Sequence, residues 1–216
     1  MDREVEQARV DVASRSDFNT YDAFRMFDLD GFGRITQDDL KCGLADIGVH
    51  STHEDIALFF RRYDRDMDSR LDFREFSEAL TSNEEYYAQM LARRGSSHRR
   101  INIYRKDDIF EYATAQAFKQ LMRSHFETEA ASESTRQMLA RNPFFDAAEA
   151  FRIVDLNANG LISKDEIRYL MESRGYFISD REARDIAKKF DFNKDGLISY
   201  GEFMDEVRPK SPARRH

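Results

Sequence analysis

The stretch DFNKDGLISYGE, from Asp191 to Glu202, places oxygen-bearing side chains at short intervals around a central glycine. A loop of about twelve residues can wrap a hard divalent cation when its positions 1, 3 and 5 offer side-chain oxygens and its last position a carboxylate. Calcium takes about six to eight oxygen ligands, and the turn at position 6 favours glycine because it has no Cβ. The stretch therefore predicts a calcium site. Its expected ligands are Asp191, Asn193, Asp195, the Leu197 carbonyl, Ser199 and Glu202.

The stretch DLNANGLISKDE, from Asp155 to Glu166, matches the same pattern in full. It offers two carboxylates where the last loop offers three, and the charge of the ligands is one determinant of calcium affinity. We therefore expect weaker binding than in the last loop. The expected ligands are Asp155, Asn157, Asn159, the Leu161 carbonyl, Ser163 and Glu166.

The most acidic candidate is DRDMDSRLDFRE, from Asp64 to Glu75. Ser69 stands at position 6, where the pattern has glycine, and a non-glycine residue at positive φ is strained. Because this is the single departure, we still expect a metal ion here. The expected ligands are Asp64, Asp66, Asp68, the Arg70 carbonyl, Asp72 and Glu75.

The first candidate, DLDGFGRITQDD from Asp28 to Asp39, departs from the pattern at two ligand positions. Phe32 offers no oxygen at position 5, and Asp39 at position 12 is one methylene shorter than glutamate. A shorter carboxylate side chain at position 12 suits the smaller coordination shell of Mg²⁺, which is also the expected competitor for Ca²⁺. We expect a weak site or none, in a loop retained for pairing.

The four stretches form two pairs with the same internal spacing. Asp28 and Asp64 are 36 residues apart, as are Asp155 and Asp191, and the two halves align with an offset of 127. Such self-similarity indicates a repeated unit. Position 8 of each loop is apolar, which predicts a short antiparallel bridge within each pair. The residues to be bridged are Ile35 with Leu71 and Ile162 with Ile198.

Helices are predicted on both sides of every loop, because apolar residues recur there at helical spacing. Capping boxes and an Asn-Pro pair mark expected helix starts. These are Thr52 with Asp55, Ser179 with Glu182, and Asn142-Pro143. The paired helix-loop-helix units resemble the EF-hand superfamily, which includes calmodulin, troponin C and centrin. The resemblance implies an all-α fold of two EF-hand pair lobes that bind Ca²⁺.

The resemblance covers about residues 17–80 and 143–207 and leaves a long insert between them. We expect five segments: an N-terminal extension 1–16, a first EF-hand pair 17–80, a helical and basic insert 81–142, a second pair 143–207 and a basic tail 208–216. Asn83–Arg94 is predicted to continue the helix that leaves the second loop. The stretch RRGSSHRRINIYRK, Arg93–Lys106, then holds six basic residues and no acidic one.

After Asp107 and Asp108 the insert predicts a helix with an apolar stripe, followed by a second helical stretch with Met138 and Leu139. The stripe consists of Phe110, Ala113, Ala117, Phe118, Leu121, Met122 and Phe126. Two interpretations stay open: the stripe fills a groove of its own lobe, or it docks on a partner surface.

Composition bounds the location and the class of protein. Residues 17–80 carry a net charge of −7 and residues 143–207 one of −5, which argues against a nucleic-acid partner. A single cysteine, Cys42, is expected to pack in a helix, and it fits a reducing compartment. The polar N-terminus and the lack of an apolar run of about 18 residues predict no secretory signal and no membrane span. We therefore expect a cytoplasmic protein.

The motifs favour a non-enzymatic role. The chain has no glycine-rich phosphate loop before a helix and no H-E-x-x-H motif, so we expect no enzyme. The favoured function is a calcium sensor or regulatory subunit that binds a partner protein through an amphipathic helix. The alternative is a structural subunit of a cytoskeletal or ciliary (axonemal, microtubule-associated) assembly, and a calcium buffer is the third choice.

Two serines lie in short patterns that resemble kinase substrates. Arg93-Arg94-Gly95-Ser96 is typical of basophilic kinases, and Lys210-Ser211-Pro212 of proline-directed ones. The alternative for each is a solvated basic segment.

Overall fold

Helices dominate the computed structural model, which describes residues 2–97 and 106–211. The helices of this described part are α1 (Asp2–Ala13), α2 (Thr20–Arg25), α3 (Gln37–Asp46), α4 (His53–Tyr63), α5 (Phe73–Leu80), α6 (Glu85–Ala92), α7 (Tyr112–Arg141), α8 (Ala147–Val154), α9 (Lys164–Ser173), α10 (Asp180–Phe190) and α11 (Tyr200–Val207). The strands are β1 (Arg34–Thr36), β2 (Arg70–Asp72), β3 (Leu161–Ile162) and β4 (Ile198–Ser199). The mostly helical architecture with two EF-hand regions confirms the predicted fold class.

The chain divides into an N-terminal unit, Met1–Ser132, and a C-terminal unit, Glu133–His216. The division predicted from sequence, with boundaries at residues 16, 80, 142 and 207, stays a prediction. Each unit contains one pair of helix-loop-helix motifs. None of the described helices combines the length and the hydrophobicity that a bilayer crossing requires.

Both predicted bridges form. β1 and β2 pair antiparallel with Ile35 opposite Leu71, and β3 and β4 pair with Ile162 opposite Ile198. All four side chains are buried, so each bridge joins its two loops over the core of its own unit. The capping boxes at Thr52 and Ser179 are also confirmed, because their side chains accept the N–H three residues on.

The core of the N-terminal unit is one large buried cluster that includes the insert. Phe27, Phe59 and Phe76 of the paired motifs share it with Phe118 and Met122 of α7. The apolar stripe therefore fills the lobe of its own chain, as the first of the two interpretations predicted. One member was assigned wrongly: Ala113 is exposed, and Thr114 and Ala115 take the buried positions.

Helix α1 is an unpredicted part of the same core. Val5, Ala8 and Val12 are buried in it, while Arg9 donates to the Ala79 carbonyl at 2.9 Å and to the Tyr63 hydroxyl at 3.1 Å. The N-terminal extension thus packs on the lobe through a narrow stripe. Its abundance of charged residues hid that stripe from sequence reasoning.

The core of the C-terminal unit is smaller. Its buried members are Phe151, Ile162, Ile167, Ala187 and Ile198. Phe190 and Phe203 pack against them while staying partly exposed, and α11 buries none of its residues fully.

The prediction that Asn83–Arg94 continues the helix that leaves the second loop, α5, is wrong. Helix α5 ends at Leu80, and α6 is a separate helix that begins at Glu85. Glu6 of α1 explains the break, because its carboxylate accepts hydrogen bonds from the Ser82 hydroxyl and, at 2.8 Å, from the Asn83 N–H.

Three further expectations are corrected. The two predicted helical stretches of the insert are one continuous helix, α7, preceded by a 3₁₀ turn at Lys106–Ile109. Asn142 makes an Asx turn to the Phe144 N–H, and the cap of α8 is Asp146. Cys42 lies in a helix as expected, but it is exposed. Residues 98–105 of the basic stretch and 212–216 of the tail lie outside the described residues.

Candidate metal centre

The four loops of the paired motifs share one hydrogen-bond pattern. They are the first loop (Asp28–Asp39), the second (Asp64–Glu75), the third (Asp155–Glu166) and the fourth (Asp191–Glu202). In each, the N–H of position 6 donates to the aspartate of position 1 over 2.9–3.0 Å. The N–H of position 5 likewise donates to the side-chain oxygen of position 3. The backbone therefore wraps around its own oxygen ligand candidates.

Each loop also contains two residues in the left-handed region. Positions 4 and 6 have φ between 55° and 86° in all four loops: Gly31 and Gly33, Met67 and Ser69, Ala158 and Gly160, Lys194 and Gly196. Sequence reasoning predicted position 6 and the strained Ser69, but it missed position 4. Methionine, alanine and lysine carry no preference for positive φ, so Gly31 was the single position-4 residue whose type indicated this conformation.

The fourth loop brings its predicted side chains together. Asp191 accepts from the Asp195 N–H at 3.2 Å, and Asp195 accepts from the Leu197 N–H at 2.8 Å. Asn193 donates its side-chain amide to Asp195 at 3.0 Å. The Leu197 residue directly precedes β4, and Ser199 is the N-cap of α11.

The third loop repeats this arrangement with the amide of Asn159 in place of the carboxylate of Asp195. Asp155 and Asn157 both accept from the Asn159 N–H, at 3.1 and 3.0 Å, and Asn159 accepts from the Leu161 N–H at 2.8 Å. Ser163 caps α9. Oxygen donors of this kind are those that hard cations prefer.

The glutamates that end the last three loops reach back across them. Each accepts the N–H of the second loop residue: Arg65 to Glu75 at 2.8 Å, Leu156 to Glu166 at 3.1 Å and Phe192 to Glu202 at 3.1 Å. Their other oxygen accepts the N–H of position 9, at 2.8–2.9 Å. Both oxygens of each carboxylate thus lie at the loop, where a bidentate clamp is needed.

The clamp of the fourth loop is held in its charged form. Burial raises the pKa of Glu202, but hydrogen bonds from Ser199, Asn193 and Phe192 outweigh it and lower that pKa below its ordinary value. The ionised carboxylate can bind a cation without first losing a proton.

The second loop offers the clearest test of whether a cation fits. Carboxylate oxygens of Asp64, Asp66 and Asp68 lie within 4.8 Å of one another. The Oδ1 atom of Asp64 is buried and has no hydrogen-bond partner among the described residues. Burial raises the pKa of Asp64 despite the bond from Ser69, and the neighbouring carboxylates raise it further. A divalent cation among these oxygens would supply both the missing partner and the missing positive charge, so the residues fit Ca²⁺.

The first loop has the fold but a poorer donor set. Asp28 has the same buried Oδ1 without a partner in the described part of the chain, and burial together with Asp30 raises its pKa. Phe32 at position 5 is 82% exposed and supplies no oxygen. Asp39 bonds to the N–H and hydroxyl of Thr36, while the Leu29 N–H donates to a backbone carbonyl instead of a clamp. The shorter side chain stays on its own side of the loop.

Comparisons with known proteins agree with this geometry. The family model of the EF-hand domain pair matches residues 18–81 and 144–208. Calcium-binding protein 8 of Homo sapiens and of Rattus norvegicus is 42% identical over 62 residues, which is 29% of this chain and 24% of that protein. An uncharacterized calcium-binding protein of Caenorhabditis elegans is 24% identical over 180 residues, which is 83% of this chain and 56% of that protein.

The aligned parts therefore span about a quarter to about half of the length of these relatives. Since the two matches to the EF-hand pair model together cover more than half of the chain, and each coincides with one pair of the loops described above, the family assignment does not depend on the partial relatives. The chain belongs to the EF-hand family of calcium-binding proteins.

Proposed function

We propose that the chain is a calcium sensor in which the two units have different tasks. The C-terminal unit responds to calcium and binds an amphipathic helix of a partner protein, and the N-terminal unit is a fixed structural part. One observation carries the proposal: the apolar surface of the N-terminal pair is covered by the chain's own α7, whereas the C-terminal pair keeps much of its apolar surface exposed.

The apolar groove of the N-terminal pair has no room for a helix of a partner protein. Phe118, Leu121 and Met122 of α7 are at most 1% exposed and lie in the same cluster as Phe27 and Phe76. A partner helix would have to displace them. This cost favours a permanently filled lobe.

The C-terminal unit offers the opposite surface. Phe177 is 87% exposed, Tyr169 60% and Tyr176 63%, while Phe190 and Phe203 are partly exposed beside the small core. Exposed apolar surface beside a small core is typical of an interaction site. The net charge of −5 on residues 143–207 suits a helix with basic residues beside its apolar face.

Calcium would control this surface through the third and fourth loops. We assign as their ligands the residues predicted from the sequence, with Glu166 and Glu202 as the bidentate clamps. Clamping moves a loop relative to its outgoing helix, and in sensors of this kind that motion increases the exposed apolar area of the groove. A partner that prefers the exposed state must also tighten calcium binding, because the two events are linked.

The test is calorimetric titration of calcium into the chelator-treated chain in the presence of magnesium, alongside an apolar-surface dye. We expect two or three sites and a rise in dye fluorescence. Glu166→Gln and Glu202→Gln should each remove one site and most of the dye response. Glu75→Gln is the matched control, because it should remove a site in the filled unit and leave the dye response intact.

Two outcomes contradict the proposal. Calcium binding without a dye response favours the alternative, a structural subunit of a larger assembly. The filled apolar groove of the N-terminal unit is also compatible with that alternative. A dye response abolished by Glu75→Gln, and retained in both C-terminal variants, would place the responsive surface in the wrong unit.

A further inference from the structure

A short basic segment before the undescribed residues 98–105 is fastened to helix α2. The Ser96 hydroxyl donates to Asp22 Oδ1 at 2.8 Å, and the Ser97 N–H donates to Asp22 Oδ2 at 2.9 Å. Two residues before Ser96, the Arg94 guanidinium donates to the Phe18 carbonyl at 2.9 Å. We call residues 94–97 the latch segment. These three hydrogen bonds hold the segment against the start of α2.

Asp22 is a buried and charged receptor for this segment. Its side chain is 1% exposed, and it also accepts from the Asn19 amide at 2.7 Å and from Arg25 at 3.2 Å. Burial raises the pKa of Asp22, but the bonds from Ser97, Asn19 and Ser96 prevail and lower it to about 2. The carboxylate is therefore ionised at neutral pH, and the latch segment supplies part of what keeps it so.

The sequence around Ser96 makes it a substrate of a recognisable class. Arg93 and Arg94 stand three and two residues before it, and Arg93 and Gly95 are exposed. Protein kinases with acidic substrate grooves select serines by this charge pattern. We propose that Ser96 is a phosphorylation site for a basophilic, ATP-dependent protein kinase, and that the phosphate releases the latch segment from Asp22. The site is independent of the calcium-sensing role of the C-terminal unit.

The chemical step is phosphoryl transfer. The Ser96 Oγ attacks the γ-phosphorus of ATP, a new P–O bond forms, and the bond to the bridging oxygen of ADP breaks. The hydroxyl proton passes to the catalytic base of the kinase. This proton is the one that Ser96 donates to Asp22, so the modification removes a donor and leaves an acceptor in its place.

Repulsion then opposes the docked position. Phosphoserine carries about −1.5 to −2 charges near pH 7, and it would stand at hydrogen-bond distance from an ionised carboxylate. Arg25, whose Nη1 donates to both Ser96 and Asp22 at 3.2 Å, carries one positive charge and therefore offsets only part of the charge of two adjacent anions. The Ser97 N–H consequently loses its buried acceptor and becomes open to water.

Release of the latch segment from Asp22 would also affect neighbouring parts of the N-terminal unit. The turn that enters α2 also holds the start of α7, since Asp17 accepts from the Glu111 N–H at 2.7 Å and from the Thr114 hydroxyl. Helix α2 leads directly into the first loop. Phosphate at Ser96 therefore acts close to the place where two parts of the insert are held against the start of α2.

The experiment treats the purified full chain with a basophilic kinase and ATP, and locates phosphate by mass spectrometry. Hydrogen exchange then reports on the Ser97 amide. We expect one phosphate on Ser96 and exchange at Ser97 at least about tenfold faster, because a lost native hydrogen bond opens the amide. Ser96→Ala should accept no phosphate there.

The matched variant is Asp22→Asn, which keeps an acceptor oxygen and removes the charge. It should be phosphorylated at least as readily as the parent, and phosphate should then change Ser97 exchange much less. Absence of phosphate on Ser96 in the folded parent chain overturns the proposal. So does phosphorylation without faster exchange, or an equal acceleration in both backgrounds, because repulsion from Asp22 would then not be the cause.

Discussion

Phe76 and Phe203 occupy the same position of the EF-hand pattern, directly after the last residue of the second and fourth loops. Phe76 is fully buried and packs edge-on against Phe24 and Phe27. Phe203 stacks on Phe190 with ring centroids 5.9 Å apart and stays partly exposed. The motif is the same, so the difference comes from what surrounds it: α1 and α7 complete the N-terminal core, and the described C-terminal core lacks such additions.

A paired EF-hand motif by itself leaves one apolar face that it does not bury. In the N-terminal unit the chain covers that face itself. In the C-terminal unit that face stays partly exposed, which is why partner binding is proposed there.

The sharpest test replaces both phenylalanines. Phe76→Ala should lower the free energy of unfolding of the N-terminal unit by about 3–5 kcal/mol, because it leaves a cavity in a closed core. Phe203→Ala should cost about 1–2 kcal/mol, since less apolar area is lost from a partly exposed site. Denaturant unfolding of each variant, followed by hydrogen exchange in both units, measures the two values. Equal costs would mean that the C-terminal unit is as closed as its counterpart.

A buried histidine gives the N-terminal unit a pH dependence of its own. His125 of α7 lies between the Tyr63 hydroxyl, at 3.1 Å, and the Ala79 carbonyl, at 2.9 Å. Burial, together with Arg9 and Arg62, lowers the pKa of His125 to about 3. Its protonated form is therefore excluded from the folded state at ordinary pH.

The direction of this pH dependence follows from proton binding to His125 in the folded and unfolded chain. Below about pH 6.5 the unfolded chain binds a proton at this histidine and the folded chain does not, so stability falls as the pH falls. Between pH 8 and pH 5 the N-terminal unit should lose about 2 kcal/mol through this group. Calcium-free unfolding of the parent and of His125→Gln over that range measures it. Parallel pH profiles for the two proteins would contradict the assignment.

The smallest expected effect compares two loop turns. Ser69 has φ of 64° where Gly196 has 86°. Ser69→Gly should stabilise the second loop by up to about 1 kcal/mol, and Gly196→Ser should destabilise the fourth by about the same amount. A Cβ at Gly196 meets no atom within 4 Å, so backbone strain is the expected cause. Unfolding midpoints of both variants check it, and a loss of stability in Ser69→Gly would show that the serine has another role.

Sequence alone determined the local features of this protein. Loop positions, the bridges of Ile35 with Leu71 and of Ile162 with Ile198, and the capping boxes follow from interactions between residues near in sequence or fixed by one spacing. Short-range patterns of donors, turns and apolar residues specify such features directly. The positive φ at position 4 was missed because Met67, Ala158 and Lys194 are not residue types that favour it.

Tertiary structure decided which apolar faces meet. The stripe with Phe118 could have docked on its own lobe or on a partner, and the charged helix α1 showed no reason to be buried at all. Likewise, Ser96 was a weak pattern until it was found beside Asp22, 74 residues away in the chain. Periodicity says that a face is apolar but not what covers it, because the cover comes from distant residues whose packing depends on the whole fold.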